Sequence, residues 1–153
     1  MNRASEPEIR ASSVNVAETK KALIAAGLEI YRTRGELIYL ADRVRENLLM
    51  DAGVFVRVGE AMGVGLLVRA QSSDFPGEND AQLFERARAV AARAIPDGYR
   101  EASVQLHEVA DPNDAERTLD TWCEVQIEKP VADLAAAIDE VRRAIAFDKA
   151  VSH

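Results

Sequence analysis

The sequence predicts an α+β fold: an antiparallel sheet built from consecutive β-hairpins, with amphipathic helices packed mainly on one face. Two observations lead to this fold class. Pairs of short segments rich in branched residues flank turn-forming residues, a pattern typical of hairpins. Between these pairs lie segments whose apolar residues recur every three or four positions, as on one face of a helix. At 153 residues, the chain is long enough to bury a core without disulfides or metals.

The first residues carry little structural signal. Residues 1–13 are rich in Ser, Glu and Arg and poor in apolar side chains, so we expect a disordered N-terminal tail before a single domain over 14–153. Residues 17–26 are predicted to form a short helix, because Gly27 follows where a left-handed cap would end it.

Residues 28–40 fit two structures. One is a hairpin with its turn at 33–36, and the other is a long helix that runs from 17 to 52. On a helix the apolar residues of 37–40 would face every direction, which a surface helix does not tolerate. The hairpin is therefore the favoured interpretation.

The middle of the chain is predicted to alternate between helices and strands. Residues 42–52 are expected to form a helix, with Val44 and Leu48 on one face and Gly53 as its end. Residues 54–59 and 64–70 are rich in branched side chains and predict the next hairpin.

Two further helices are predicted in the C-terminal half. One covers 80–95, where Asn79 or Asp80 can cap the first free amides. The other begins at Pro130, which suits a first helical turn, and continues with apolar residues at helical spacing.

The most informative segment is the predicted hairpin 99–129. Its strands alternate, so that one set of residues is expected on a core face: Ala102, Val104, Leu106, Leu119, Thr121, Cys123, Val125 and Ile127. The opposite face collects Gln105, His107, Asp120, Trp122, Glu124, Gln126 and Glu128. A Trp among polar residues indicates protein binding, because a rigid aromatic side chain is a common interface anchor. A second layer that covers this face explains Trp122 about equally well.

Charge is distributed unevenly along the chain. The net charge is −7; residues 17–71 balance to +1, whereas residues 72–130 carry −7 and the hairpin 99–129 alone carries −5. Such a surface repels phosphate backbones and membrane head groups, so we expect no nucleic acid and no membrane as partners. The N-terminal residues lack the apolar core of a secretory signal, and we expect a cytoplasmic protein.

No residue pattern predicts catalysis, a cofactor or a metal. Cys123 falls on the apolar phase of its strand with no activating base, and of the two His residues one is terminal. The chain therefore favours a non-enzymatic protein. The one basic concentration consists of Arg32, Arg34, Arg43 and Arg45, which could bind an anion but are expected to pair with neighbouring Glu and Asp residues.

The predicted C-terminal order of two strands, helix, two strands, helix and the acidic character are similar to those of class I secretion chaperones, which are dimeric, non-enzymatic escorts of client proteins. This similarity is one of layout and rests on no motif. We expect a binding or adaptor protein that is a homo-oligomer and presents its acidic hairpin face to a protein partner. The strand at 118–128 is the expected pairing edge between copies. The alternative is a small-molecule-binding or enzymatic domain with a pocket between sheet and helices.

Overall fold

The computed structural model describes residues 15–151 and confirms the α+β class. Its helices are α1 (Val16–Ala25), α2 (Asp80–Ala91) and α3 (Leu134–Val151), and its strands are β1 (Ile30–Arg34), β2 (Leu37–Arg45), β3 (Leu48–Arg57), β4 (Gly63–Gln71), β5 (Arg100–Asp111) and β6 (Asp114–Pro130). The strands form an antiparallel sheet in the order β1-β2-β3-β4-β6-β5. The predicted tail, 1–13, lies outside the described residues. None of the helices within 15–151 has the length and apolar character needed to cross a membrane.

The chain divides into two compact units. The first contains the residues up to Leu66 and those from Lys129 onward, and the second is Leu67–Glu128. The single domain over 14–153 stays a prediction.

The core of the first unit is built on β2, β3 and the start of β4. Branched residues alternate along these strands, and the register places Ile38 and Val64 on either side of Val56, so their side chains share one face. All three are fully buried. Helix α3 packs against β3 and contributes buried small and branched side chains at helical spacing, namely Ala137, Val141 and Ala144.

On the opposite face of β3, the ring of Phe55 lies over Gly65. These residues are direct cross-strand neighbours, and Phe55 is fully buried. A Cβ on Gly65 would lie 2.1 Å from Cζ of Phe55, so the glycine leaves the space that the ring occupies. Tyr39 packs beside the same ring, with 5.9 Å between the centroids.

The hairpin expected within 28–40 is confirmed, because β1 pairs with β2 around a turn that contains Gly35. The helix predicted over 42–52 is wrong. These residues belong to β2 and β3, which pair with each other as far as Arg45 and Leu48. The four-residue spacing of Val44 and Leu48 fits a helix, but both side chains are exposed here, and strand pairing supplies the backbone hydrogen bonds instead.

Helix α3 begins later than predicted. Pro130 ends β6, and the helix starts four residues further on, at Leu134. Asp133 accepts a hydrogen bond from the amide of Ala136 at 2.8 Å and so satisfies a donor of the first turn. Farther along the helix, the buried carboxylate of Glu140 pairs with Lys129 at 3.0 Å and with Arg143 at 3.3 Å.

In the second unit, α2 covers the inner face of β6. Of the two predicted caps, Asn79 and Asp80, Asn79 is the one that caps the helix, and it forms a capping box with Gln82; the buried residues Leu83 and Ala87 follow at helical spacing. The Sγ atom of Cys123 lies 3.5 Å from the carbonyl oxygen of Asp80 at the start of the helix. The α-helix ends at Ala91, earlier than expected, and a 3-10 segment continues to Asp97.

The predicted hairpin 99–129 is confirmed as β5 and β6, but its core face is only partly covered. Cys123, Val125 and Ile127 are buried as predicted, whereas Val104 and Leu106 are 39% and 41% exposed. Ala102 lies at a register shift and is exposed, Leu119 is 52% exposed, and Thr121 is half-buried. The reason is topological: β6 is an inner strand between β4 and β5, and β5 forms the edge. The expectation that 118–128 forms the edge is therefore wrong.

Candidate functional site

The candidate site is the face of the β5–β6 hairpin that points away from the buried residue Cys123, here called the outer face. Antiparallel pairing places His107 opposite Trp122, Gln105 opposite Glu124 and Ser103 opposite Gln126. Because side chains alternate along a strand, these residues share one surface with Asp120 and Glu128. The structure thus places all seven sequence-predicted binding residues on the same hairpin face.

Trp122 and His107 form the centre of the outer face. Their rings stack with 5.3 Å between centroids and 25° between planes, and both side chains are half-buried. The indole Nε1–H of Trp122 is buried without a hydrogen-bond partner. An unpaired buried donor costs free energy, about 1–3 kcal/mol. The indole is thus held by ring stacking rather than by a polar anchor.

Glu124 is the buried acid of the outer face, with only 8% of its surface exposed. Its Oε1 accepts a hydrogen bond from Nε of Arg69 at 2.9 Å, and its Oε2 lies 3.4 Å from Nε2 of His107 without hydrogen-bond geometry. Since the Arg69 side chain is 39% exposed, solvent screens the pair, which contributes about 1 kcal/mol. Glu124 was predicted only to lie on the polar face of the hairpin; in the structure it is buried and borders the aromatic pair.

Asp120 connects the outer face to the turn after β4. Its carboxylate accepts hydrogen bonds from the hydroxyl of Ser72 at 2.7 Å, from the amide of Thr121 at 2.9 Å and from the amide and hydroxyl of Ser73 at 3.3 Å each. Gln71 donates a further bond at 3.2 Å. These donors, the Ser72 hydroxyl first among them, hold the pKa of Asp120 below its usual value. Asp120 therefore orders the turn at 72–74 beside the aromatic pair.

The other end of the outer face is polar and half-buried. Gln126 donates a hydrogen bond to Oε2 of Glu128 at 3.0 Å. Gln105, on the edge strand, is exposed. The outer face therefore consists of an aromatic pair, two carboxylates held by hydrogen bonds and the amide groups of Gln105 and Gln126.

The four arginines that could bind an anion, but were expected to pair with neighbouring acids, do not form one group. Arg32 and Arg34 lie on β1 and pair with the start of β2, whereas Arg43 and Arg45 lie on the distal end of β2. Arg34 is opposite Leu37, six residues from Arg43, which is roughly 20 Å along a strand. Arg43 binds Glu29 at 2.9 Å, as the ion-pairing interpretation expected, and Arg32 covers the ring of Tyr39.

The described residues show no reactive grouping. Burial raises the pKa of the Cys123 thiol, and Asp80 raises it further, which is opposite to the activation of a nucleophile. Within 15–151, no three His, Cys, Asp or Glu side chains come together as a metal ion would require. An open depression of about 370 Å³ on α2 is lined by Gln82 and Arg86, but the guanidinium of Arg86 is already bound by Glu78 and stacked on Phe75.

Two residues that contribute to the site were not predicted from the sequence. Arg69 neutralises Glu124, and Ser72 binds Asp120. A signal for Arg69 was present: it is the single charged residue in the otherwise apolar segment 64–70, and a charge in such a strand needs a partner. No local pattern identifies Ser72.

Comparisons with known proteins give no relative for this chain. No protein-family model matches it, and searches of curated proteins and of solved structures return no significant match.

Proposed function

We propose that this protein is a non-enzymatic binding or adaptor protein whose outer face holds a positively charged segment of a protein partner. The observation that carries the proposal is the Trp122–His107 stack at the centre of an otherwise polar hairpin face. A half-buried Trp surrounded by polar groups has the layout of an interface hot spot, in which one rigid side chain buries a large apolar area.

The charge around this centre favours a basic partner. Residues 99–129 carry a net −5, which includes Asp111, Asp114 and Glu116 around the hairpin tip. Charges of one sign raise the rate at which an oppositely charged partner arrives, and they exclude acidic competitors. Asp120 and Glu124 are already hydrogen-bonded, so their role is to keep the side chains of the site in place. The acidic residues at the hairpin tip attract the basic partner.

The site is ordered before a partner arrives. Arg69 fixes Glu124, Glu124 borders His107, and His107 stacks on Trp122. A site whose rotamers are fixed loses less conformational entropy on binding than a flexible one. A chaperone-like role toward a client protein and a cytoplasmic location are part of the same proposal, on the layout and composition already described.

The experiment uses the fact that Trp122 is the single Trp of the chain, so its fluorescence reports directly on the site. The full chain is titrated with short Arg- and Lys-rich peptides, and host proteins captured by the chain are tested afterwards as purified partners. We expect Trp122→Ala to weaken binding at least tenfold, about 1.4 kcal/mol, while the circular-dichroism melt stays within a few degrees.

Leu119→Ala is the matched control, because Leu119 is an exposed apolar residue on the same strand that falls at a register shift, where it is opposite no residue of β5. It should bind like the wild type. Equal affinities of Trp122→Ala and wild type, or partners that are acidic rather than basic, would contradict the proposal. Unfolding of Trp122→Ala would show that the Trp is a core residue.

A further inference from the structure

The two edges of the sheet differ in how they are protected. β1 has five residues, a register shift between Ile30 and Arg32, and two arginines. These features discourage the addition of another strand. β5 has twelve residues, and within 15–151 no strand pairs with its outer side. The backbone groups of β5 that point away from β6 are thus available to a further strand.

The central part of β5 is suited to such pairing. Residues 103–109 pair with β6 without interruption, from Ser103 opposite Gln126 to Val109 opposite Asp120. The segment contains no Pro, Gly, Lys or Arg, and Glu108 is its only acidic residue. It therefore lacks the devices that keep an edge from pairing.

Exposed apolar side chains accompany this edge. Val104 and Leu106 are opposite the buried residues Val125 and Cys123 and so belong to the same face, but each is exposed. The apolar layer under α2 continues onto β5, where Val104 and Leu106 stay 39% and 41% exposed. A further strand would remove part of this apolar surface from water.

We propose that β5 pairs antiparallel with β5 of a second copy of this chain, about a two-fold axis at Leu106. This register uses all of 103–109 and places Leu106 opposite Leu106, Val104 opposite Glu108 and Gln105 opposite His107. Within 103–109 no like charges oppose one another; the like-charged pair Glu101 and Asp111 lies outside this segment, towards the ends of β5. The same strand of each copy therefore forms its half of a symmetric, isologous interface.

Repulsion between the two acidic hairpin tips does not oppose this pairing. An antiparallel two-fold sends the two hairpin tips, with Asp111 and Asp114, in opposite directions. At about 3.4 Å per residue the tips lie roughly 40 Å apart. That distance is several times the Debye length of about 8 Å at physiological salt, so repulsion between the tips is screened.

The dimer extends the proposed function. The two-fold axis is perpendicular to the sheet, so both outer faces lie on the same side, and Gln105 of the second copy becomes a neighbour of His107 beside Trp122. Two binding sites on one surface would hold a partner with two basic segments more tightly than either site alone. The pairing of β5 itself does not depend on the proposed function.

The test measures the mass of the full chain by sedimentation equilibrium at micromolar concentrations. We expect a dimer for the wild type and, for Leu106→Arg, a dissociation constant at least tenfold higher, since two guanidinium groups would meet at the axis. Leu119→Arg, at an exposed apolar site away from the edge, should remain a dimer. A monomeric wild type would overturn the proposal. A chain that dimerises only after removal of residues 1–14 would overturn it as well, because its own N-terminal segment would then occupy the edge.

A cross-link tests the register independently of Leu106→Arg. Directly opposed residues have Cα atoms about 4.5–5.5 Å apart, within disulfide range, so Leu106→Cys should form a covalent dimer under mild oxidation. All cysteine variants carry Cys123→Ala, because Cys123 is opposite Leu106 in the same chain and would otherwise compete for the new thiol. Val104→Cys should not, because its copy lies about four residues along the partner strand. A dimer without the Leu106→Cys cross-link would place the interface elsewhere. Trp122→Ala should remain dimeric, and Leu106→Arg should keep the peptide affinity of a single site. The two variants therefore test dimerisation and partner binding independently of each other.

Discussion

Substitution of Gly65 by Ala tests the packing of the first unit. The added Cβ would meet Cζ, Cε2 and Cε1 of Phe55 at 2.1, 2.4 and 2.6 Å, all well inside an ordinary van der Waals contact. The ring of Phe55 is fully buried and packs against Tyr39, so it cannot rotate into solvent. It would have to shift by about 1 Å in a close-packed core.

The expected magnitude follows from two opposing terms. Overpacking of this severity costs about 3 kcal/mol, the upper end of the usual range. Replacing Gly by Ala also stabilises the fold by about 0.5–1 kcal/mol, because Ala lowers the conformational entropy of the unfolded chain. The net loss in the free energy of unfolding is thus about 2 kcal/mol, which lowers Tm by roughly 4–8 °C for a chain of this size.

Urea denaturation of a double-mutant cycle is the assay. Phe55→Leu alone should destabilise the protein by leaving a cavity, but it should make room for the Cβ in Phe55→Leu/Gly65→Ala. We expect the double variant to be more stable than the sum of the single changes allows, by about 1 kcal/mol or more. A Gly65→Ala variant as stable as the wild type, or an additive cycle, would refute this account of the glycine.

Two further perturbations test polar contacts. Asp120 has a lowered pKa in the folded protein, so its carboxylate contributes stability above its unfolded pKa of about 3.9, and this contribution is lost as pH falls through the lower folded value. The urea midpoint of the wild type should therefore exceed that of Asp120→Asn by a smaller amount as the pH is lowered through this window. A difference between the two midpoints that does not change with pH would contradict this expectation. Lys129→Ala should lower the free energy of unfolding by about 2 kcal/mol, because it removes one of the cations that pair with the buried carboxylate of Glu140. Arg143→Ala should lower it by at most about 0.5 kcal/mol. The Arg143 side chain is 69% exposed, compared with 28% for Lys129, so solvent screens its pair with Glu140 more strongly. Equal losses in thermal melts would show that the two cations share the role.

Local signals predicted most elements of the fold. Glycines and turn residues located the hairpins, and the cap candidates Asn79 and Asp80 located the start of α2. The error over 42–52 arose because Val44 and Leu48 are four apart, a spacing that fits a helix as well as two paired strands. Only the pairing of β2 with β3 distinguishes the two, and that pairing is not a local property of the sequence.

The candidate site shows the same limit. Alternation correctly placed Trp122, His107 and Glu124 on one face, because a strand has a period of two. It did not predict that Glu124 is buried, because its partner Arg69 lies 55 residues away along the chain. Nor did it predict the exposure of Val104, which depends on β5 being the edge strand.

The strand order also has a consequence for synthesis of the protein. β4 pairs with β6 rather than with β5, and β6 begins about forty residues after β4 ends. At roughly 5–20 residues per second, a ribosome needs several seconds to deliver that partner. During this interval the side of β4 that pairs with β6 has no partner strand in the nascent chain, although β4 is rich in branched apolar residues. We expect molecular chaperones to bind this segment, and slow translation of the 72–113 region should lower the yield of folded protein.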